Sequence, residues 1–183
     1  MTISQLAAIL APLTTGQHYA GITALFEANN RFVSISANSA ALLKSQPWPA
    51  GSGVYVVRQQ NQEGNTILYI GKTGKLMGVD GAPAIMNGGS LVQRLQRWTP
   101  YCFQSAGQYA DHFEYGPNFG VNDIPKQPFA VRYRIHVPLV QITTDCFSTA
   151  GIEHQLSPAL LEALLLQDYV SCCGALPPGN QEF

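Results

Sequence analysis

The tightest constraint on the fold of this chain is a pair of short β-type runs, Gly53-Val54-Tyr55-Val56-Val57 and Thr66-Ile67-Leu68-Tyr69-Ile70-Gly71, flanking the polar stretch from Gln59 to Asn65. Two runs rich in β-branched and aromatic residues around a polar, Gly-containing connection predict a β-hairpin. Antiparallel pairing about Gln62 sets Tyr55 opposite Tyr69 and Gly53 opposite Gly71. Side chains alternate across a strand, so both tyrosines then share one face, while Val54, Val56, Leu68 and Ile70 share the other. The aliphatic face reads as core. The second presents two phenols side by side, followed at once by Lys72 and Thr73.

With Gly53-Val54-Tyr55 and Tyr69-Ile70-Gly71 on successive strands, the chain resembles the GIY-YIG nuclease family, with Val54 as a conservative change in the first tripeptide. The resemblance implies an arginine on a following helix, a glutamate on a later helix and an asparagine near the end. Ser90-Leu91-Val92-Gln93 has the form of a capping box, and Leu91, Leu95 and Trp98 recur at helical spacing as a buried stripe. Arg94 borders that stripe, where its stem can lie along apolar surface and hold the guanidinium over a site. Arg97 faces further into solvent. Arg94 therefore matches the family arginine, with Arg97 as runner-up. Many family members carry His or Tyr one turn later. Trp98 stands there in this chain, which leaves Tyr101, Lys72 or no residue to take that part.

Ser157-Pro158 opens a second helix, with serine as N-cap and proline at the first helical position, and the pattern runs through Ala159–Val170 towards Gly174. Glu162 shares its face with Leu165, Leu166 and Tyr169. A carboxylate among leucines is costly to bury without a cation or a hydrogen-bond donor, so Glu162 has no polar face to belong to. It resembles the metal-binding glutamate of the family. Leu176-Pro177-Pro178-Gly179-Asn180 is similar to the family's terminal stretch, which makes Asn180 a structural or site-organising residue.

The expected fold is α+β: a small antiparallel three-stranded sheet flanked by helices, in a nuclease-like domain over 51–183. Phe129–Val137 alternates apolar residues with Arg132, Arg134 and His136 and reads as the half-buried third strand. Gly74–Gly89 and Thr99–Asp123 are loop-rich insertions, the first composed like a mobile loop that contacts substrate or partner. Residues 1–50 carry no family motif and read as a helical extension made of short helices.

Of the 183 residues only 11% are charged, with Lys plus Arg at 10 against Asp plus Glu at 11 for a net charge of −1. So neutral a chain is a poor nonspecific polyanion binder. It leaves room for a local cleft gathering Lys72, Arg94, Arg97, Arg132 and Arg134, and suggests reliance on shape, a homodimer on DNA, or specific contacts. Cys102, Cys146, Cys172 and Cys173 form no Cys-x-x-Cys pair and read as reduced, mostly buried thiols of a cytoplasmic protein. Ligand spacing for zinc is missing. The start lacks a basic region and a run long enough to span a membrane.

The resemblance implies hydrolysis of a DNA phosphodiester with Mg²⁺ (or Mn²⁺). In this scheme Glu162 holds the ion, Arg94 steadies negative charge on the phosphate, Tyr55 serves as general base or positions the attacking water, and Tyr69 hydrogen-bonds the phosphate or relays a proton. A free phenol titrates near ~10, so Tyr55 needs Lys72 or Arg94 nearby. All five are expected in one open cleft. A restriction-type endonuclease is the leading expectation. Repair, recombination or toxin nucleases are the near alternatives, and a non-catalytic nucleic-acid or protein-binding module is the rival from another class.

Overall fold

The computed structural model describes residues 18–36, 47–61, 64–79, 82–87, 89–95 and 142–180. A helix at His18–Ala28 leads into β1 (Phe32–Ser36), followed by β2 (Gly53–Asn61), β3 (Gly64–Thr73), β4 (Lys75–Val79), β5 (Ala82–Asn87), β6 (Ile142–Ser148) and a helix at Pro158–Cys173. Among the described residues the main sheet is antiparallel and four-stranded, in the order β1-β6-β2-β3. It thus contains one strand more than the expected three. The extra strand, β1, comes from residues 1–50, which are therefore not purely helical. The anticipated strand at 129–137 lies outside the described residues. The neighbour of β2 is instead β6, Ile142-Thr143-Thr144-Asp145-Cys146-Phe147-Ser148. Its polar residues disguise it in sequence, because a buried Asp does not read as strand interior.

The β2–β3 hairpin forms, in a different register from the one expected. Its strands extend to Asn61 and Gly64, Tyr55 pairs with Gly71, and Val57 pairs with Tyr69. Between Val57 and Arg58 the register slips, so that Arg58 faces Ile67 and Leu68 is the extra residue of a β-bulge. The bulge decides the faces. A hairpin continued without it would set Tyr55 opposite Ile70 and put the two phenols on opposite faces, since one residue of slip turns every side chain over. Inserting Leu68 restores the parity. Tyr55 and Tyr69 share a face, while Leu68 joins them in the same apolar cluster rather than joining Val54, Val56 and Ile70.

Both sheet faces are covered. On one, Ile35, Trp48, Tyr55, Val57, Leu68, Leu91, Leu95 and Cys146 pack together. On the other, Val54, Val56, Ile70 and Phe147 meet Ile22 and Phe26 of the first helix and Leu161, Leu164 and Leu165 of the last. Phe147 lies edge-on to Phe26 at 5.5 Å between ring centroids. Burying such side chains contributes roughly 1.5–3 kcal/mol each, and this anchors the last helix over β2 and β3.

Its ends follow the expected chemistry. The Ser157 hydroxyl accepts from the Leu160 amide at 3.2 Å, Pro158 occupies the first turn, and Gly174 closes the helix in the left-handed region at φ 71°. The Leu91 helix starts likewise, with Ser90 Oγ accepting from Gln93 N at 3.3 Å.

Residues 74–89 are not a plain loop. Gly74 (φ 88°) turns the chain out of β3, and β4 and β5 pair as a separate two-stranded antiparallel sheet, with Met77 exposed. No described helix is long and apolar enough to cross a membrane.

Candidate functional site

Strand β3 brings the sequence-distant residues together. Lys72 pairs in register with Val54, and so projects from the face that carries the last helix. There its Nζ forms a salt bridge with Glu162 Oε2. The carboxylate side chain is 16% exposed and the lysine 38%, so the pair sits at the rim of the core rather than inside it. Lys72 thus answers the question posed by a glutamate among leucines: its ammonium offsets the desolvation.

Asn180 returns to the same strand. Its Oδ1 accepts from Ile70 N at 2.9 Å and its Nδ2 donates to Ile70 O at 2.7 Å. One residue earlier, Gly179 N donates to the carbonyl of the bulged Leu68 at 2.7 Å. Among the described strands β3 lies at the edge of the sheet, and unpaired edge groups invite foreign pairing. The terminal segment closes this edge up to Ile70, leaving Gly71, Lys72 and Thr73 beyond the clamp. Asn180 thus anchors the terminal segment to β3.

The phenols lie on the other face. Tyr55 and Tyr69 stack at 5.8 Å between centroids with a 38° tilt, and Tyr55 is only 2% exposed whereas Tyr69 is half-buried. Both motif glycines have a steric reason. A Cβ on Gly71 would stand 2.4 Å from Tyr69 Cε1 and 2.9 Å from the Tyr55 hydroxyl. A Cβ on Gly53 would stand 2.2 Å from Phe147 O and 2.8 Å from Leu91 Cδ1. The glycines let rings and backbone approach where any side chain would collide.

Leu91 and Leu95 pack into the phenol-side cluster, while Arg94 on the same helix is exposed. The expected single cleft is therefore not what the fold builds. The sheet separates Tyr55, Tyr69 and the Arg94 helix from Lys72 and Glu162, because Gly71 and Lys72 are successive residues and point to opposite faces. Arg97, Tyr101, Arg132 and Arg134 lie outside the described residues, as does Trp98.

A polar centre that the sequence did not suggest lies on the helix-covered face. Asp145 is 1% exposed and accepts from Arg58 Nε at 2.6 Å, Arg58 Nη2 at 2.9 Å, Ser34 Oγ at 2.6 Å and the Tyr19 hydroxyl. The hydrogen bond to Asp145 holds the Arg58 guanidinium above its ordinary pKa, against burial. Burial first, then Asp145, pushes the Tyr19 phenol up. Burial likewise raises the Cys146 thiol. Nearby, Asp168 is buried and accepts from Tyr19 N at 3.0 Å, tying the two helices. The one available signal was the alternation of β6, with Asp145 falling on the Phe147 face. Cys172 and Cys173 are exposed, so the described thiols are not mostly buried.

Among the described residues no group of three or more His, Cys, Asp or Glu side chains could hold a metal ion. Mg²⁺ asks less: one or two carboxylates, with waters and substrate oxygens completing the shell. Glu162, a hard oxygen donor at the protein surface, fits that requirement. Asp145, with four donors already around it, does not. Comparison of the chain with family models, curated proteins and solved structures returns no match.

Proposed function

We propose that this chain is a divalent-metal-dependent nuclease of GIY-YIG type that hydrolyses DNA phosphodiester bonds, most simply a restriction-type endonuclease acting as a homodimer. One observation carries the reading: Lys72, Glu162 and Asn180, from three distant parts of the chain, meet on the strand that holds Tyr69-Ile70-Gly71. Packing alone does not require a carboxylate at position 162, on a helix whose same face carries Leu165 and Leu166.

The proposed site lies at the open end of β3. Glu162 holds Mg²⁺ or Mn²⁺ by one carboxylate, and the ion, when bound, polarises a phosphate oxygen and steadies the leaving oxygen. Tyr69, the more exposed phenol, hydrogen-bonds the phosphate across the rim. Tyr55, sealed beneath it, orients Tyr69 rather than meeting water directly. Arg94, on the exposed side of its helix, adds positive charge over the phosphate. In the reaction, water oxygen bonds to phosphorus, the bond to the sugar oxygen breaks, and the proton from water leaves through a base or bulk solvent while the sugar oxygen is protonated.

Plasmid cleavage with and without Mg²⁺ tests the proposal, with Glu162→Gln as control. Metal-dependent cutting that disappears in Glu162→Gln is the expected result. Absence of cutting on every substrate, with nucleic acid still bound, would select the non-catalytic binding module instead. The burial of Tyr55 and the division of the motif residues by the sheet favour that second reading. A defined-site duplex in light-scattering chromatography tests the dimer: a monomeric complex removes it.

A further inference from the structure

We infer that Lys72 is a built-in competitor for the divalent cation on Glu162, so that the metal-free protein is self-paired and metal loading frees the ammonium. The inference rests on the proposed metal site and names its regulation. Lys72 is the cation bonded to Glu162, through Oε2. A metal ion and an ammonium cannot share that oxygen without mutual repulsion. Ion pairs this close to solvent are worth little, so the contact is weak enough to be exchanged. It is nonetheless in place in the folded chain, because the registry of Lys72 with Val54 aims it at the last helix.

Two positive charges separated by a few ångströms oppose one another strongly where water is partly excluded. Occupation of Glu162 by metal therefore drives Lys72 off the carboxylate. The lysine is 38% exposed, so solvent and a phosphate oxygen at the end of β3 are both within its range of motion. Loading thus does two things in one step: it fills the carboxylate and unmasks a cation next to it. By linkage, whatever binds the freed ammonium strengthens metal binding by the same factor.

The test is made on the full chain, stripped of metal, by calorimetric titration with Mn²⁺. Lys72→Met keeps the apolar stem and removes the competitor, and is expected to bind Mn²⁺ about three- to fivefold more tightly than wild type. Lys72→Arg keeps a competing cation, with a fork that suits carboxylate, and is expected to bind no more tightly than wild type. A second arm reads the ammonium itself. Acetylation of Lys72 by an amine-reactive ester, followed by peptide mass spectrometry, should increase on adding Mn²⁺ to wild type. In Glu162→Gln it should be high already and indifferent to Mn²⁺.

Equal Mn²⁺ affinity in wild type and Lys72→Met, with binding still abolished by Glu162→Gln, overturns the competition and leaves the metal site standing. Loss of no Mn²⁺ binding in Glu162→Gln overturns both. Acetylation of Lys72 that ignores Mn²⁺ in wild type overturns the release.

Discussion

Asp145 and Glu162 are two carboxylates that serve the same face of one sheet, yet their surroundings make them different instruments. Asp145 sits mid-strand in β6, 1% exposed, with a bidentate arginine and two hydroxyls filling its lone pairs. Glu162 sits one turn into a helix, partly exposed, and among the described residues its recorded partner is one lysine on one oxygen. A carboxylate with all its acceptor sites occupied by rigid donors has nothing left for a ligand and serves the fold. One held by a single flexible ammonium at the rim can exchange its partner. The number and stiffness of the donors, more than depth of burial, separate a structural acid from a candidate reactive one.

The largest effect should come from Asp145→Ala. It strands the Arg58 guanidinium and the Tyr19 hydroxyl in a covered region, and breaking such a pair from one side costs about 3–5 kcal/mol. Urea unfolding should show the midpoint collapse. A loss below about 1 kcal/mol would mean that Asp145 is as dispensable as a surface acid, and the comparison would fail.

Gly71→Ala tests the other face of the same hairpin. The new methyl meets both tyrosine rings, Tyr55 has no room to move, and overpacking of this kind costs about 1–3 kcal/mol. Tyr69, half-buried, should swing out, which a change in tyrosine fluorescence would report. An unchanged melting temperature would contradict the ring packing.

Tyr19→Phe removes one of the donors to Asp145 and leaves three, so about 1 kcal/mol is expected. It should also alter the pH profile. The Tyr19 pKa is raised in the folded state by burial and Asp145, so its contribution is complete below the ordinary tyrosine value near ~10 and falls as pH rises above it. Wild type should therefore lose stability on the alkaline side, and Tyr19→Phe should lose less per pH unit. Equal alkaline slopes in the two proteins would argue against a buried, proton-holding phenol.

The smallest change in stability is expected for Glu162→Gln, within about 1 kcal/mol, because the lysine left behind can turn to water. The same substitution should abolish metal-dependent cleavage. Wild-type cutting by this variant would remove Glu162 from the proposed site, whereas a stability loss matching that of Asp145→Ala would erase the difference between the two acids.

Local chemistry made several elements legible. Ser157-Pro158 and Gly174 bound the last helix because capping and left-handed closure depend on a few adjacent residues. The β2–β3 hairpin was legible from its β-branched runs, and the shared face of Tyr55 and Tyr69 was anticipated from a register that the protein does not use. The bulge at Leu68 rescued that parity. Residues far away in the chain bind the strand there: Gly179 donates to the Leu68 carbonyl and Asn180 clamps Ile70. The contents of residues 74–89 were read as a loop because glycines mask a pairing that only the β4–β5 ladder creates.

The sequence by itself determined the β2–β3 hairpin, where the last helix starts and stops, and that Glu162 needs a cation or a hydrogen-bond donor. Those properties rest on interactions within a few residues of one another. Only the tertiary structure decided which cation that is, that β6 occupies the sheet interior around Asp145, and that the sheet stands between the phenols and the Lys72–Glu162 pair. Each of these depends on strand order and register, where a shift of one residue inverts every side chain and no local preference records the choice.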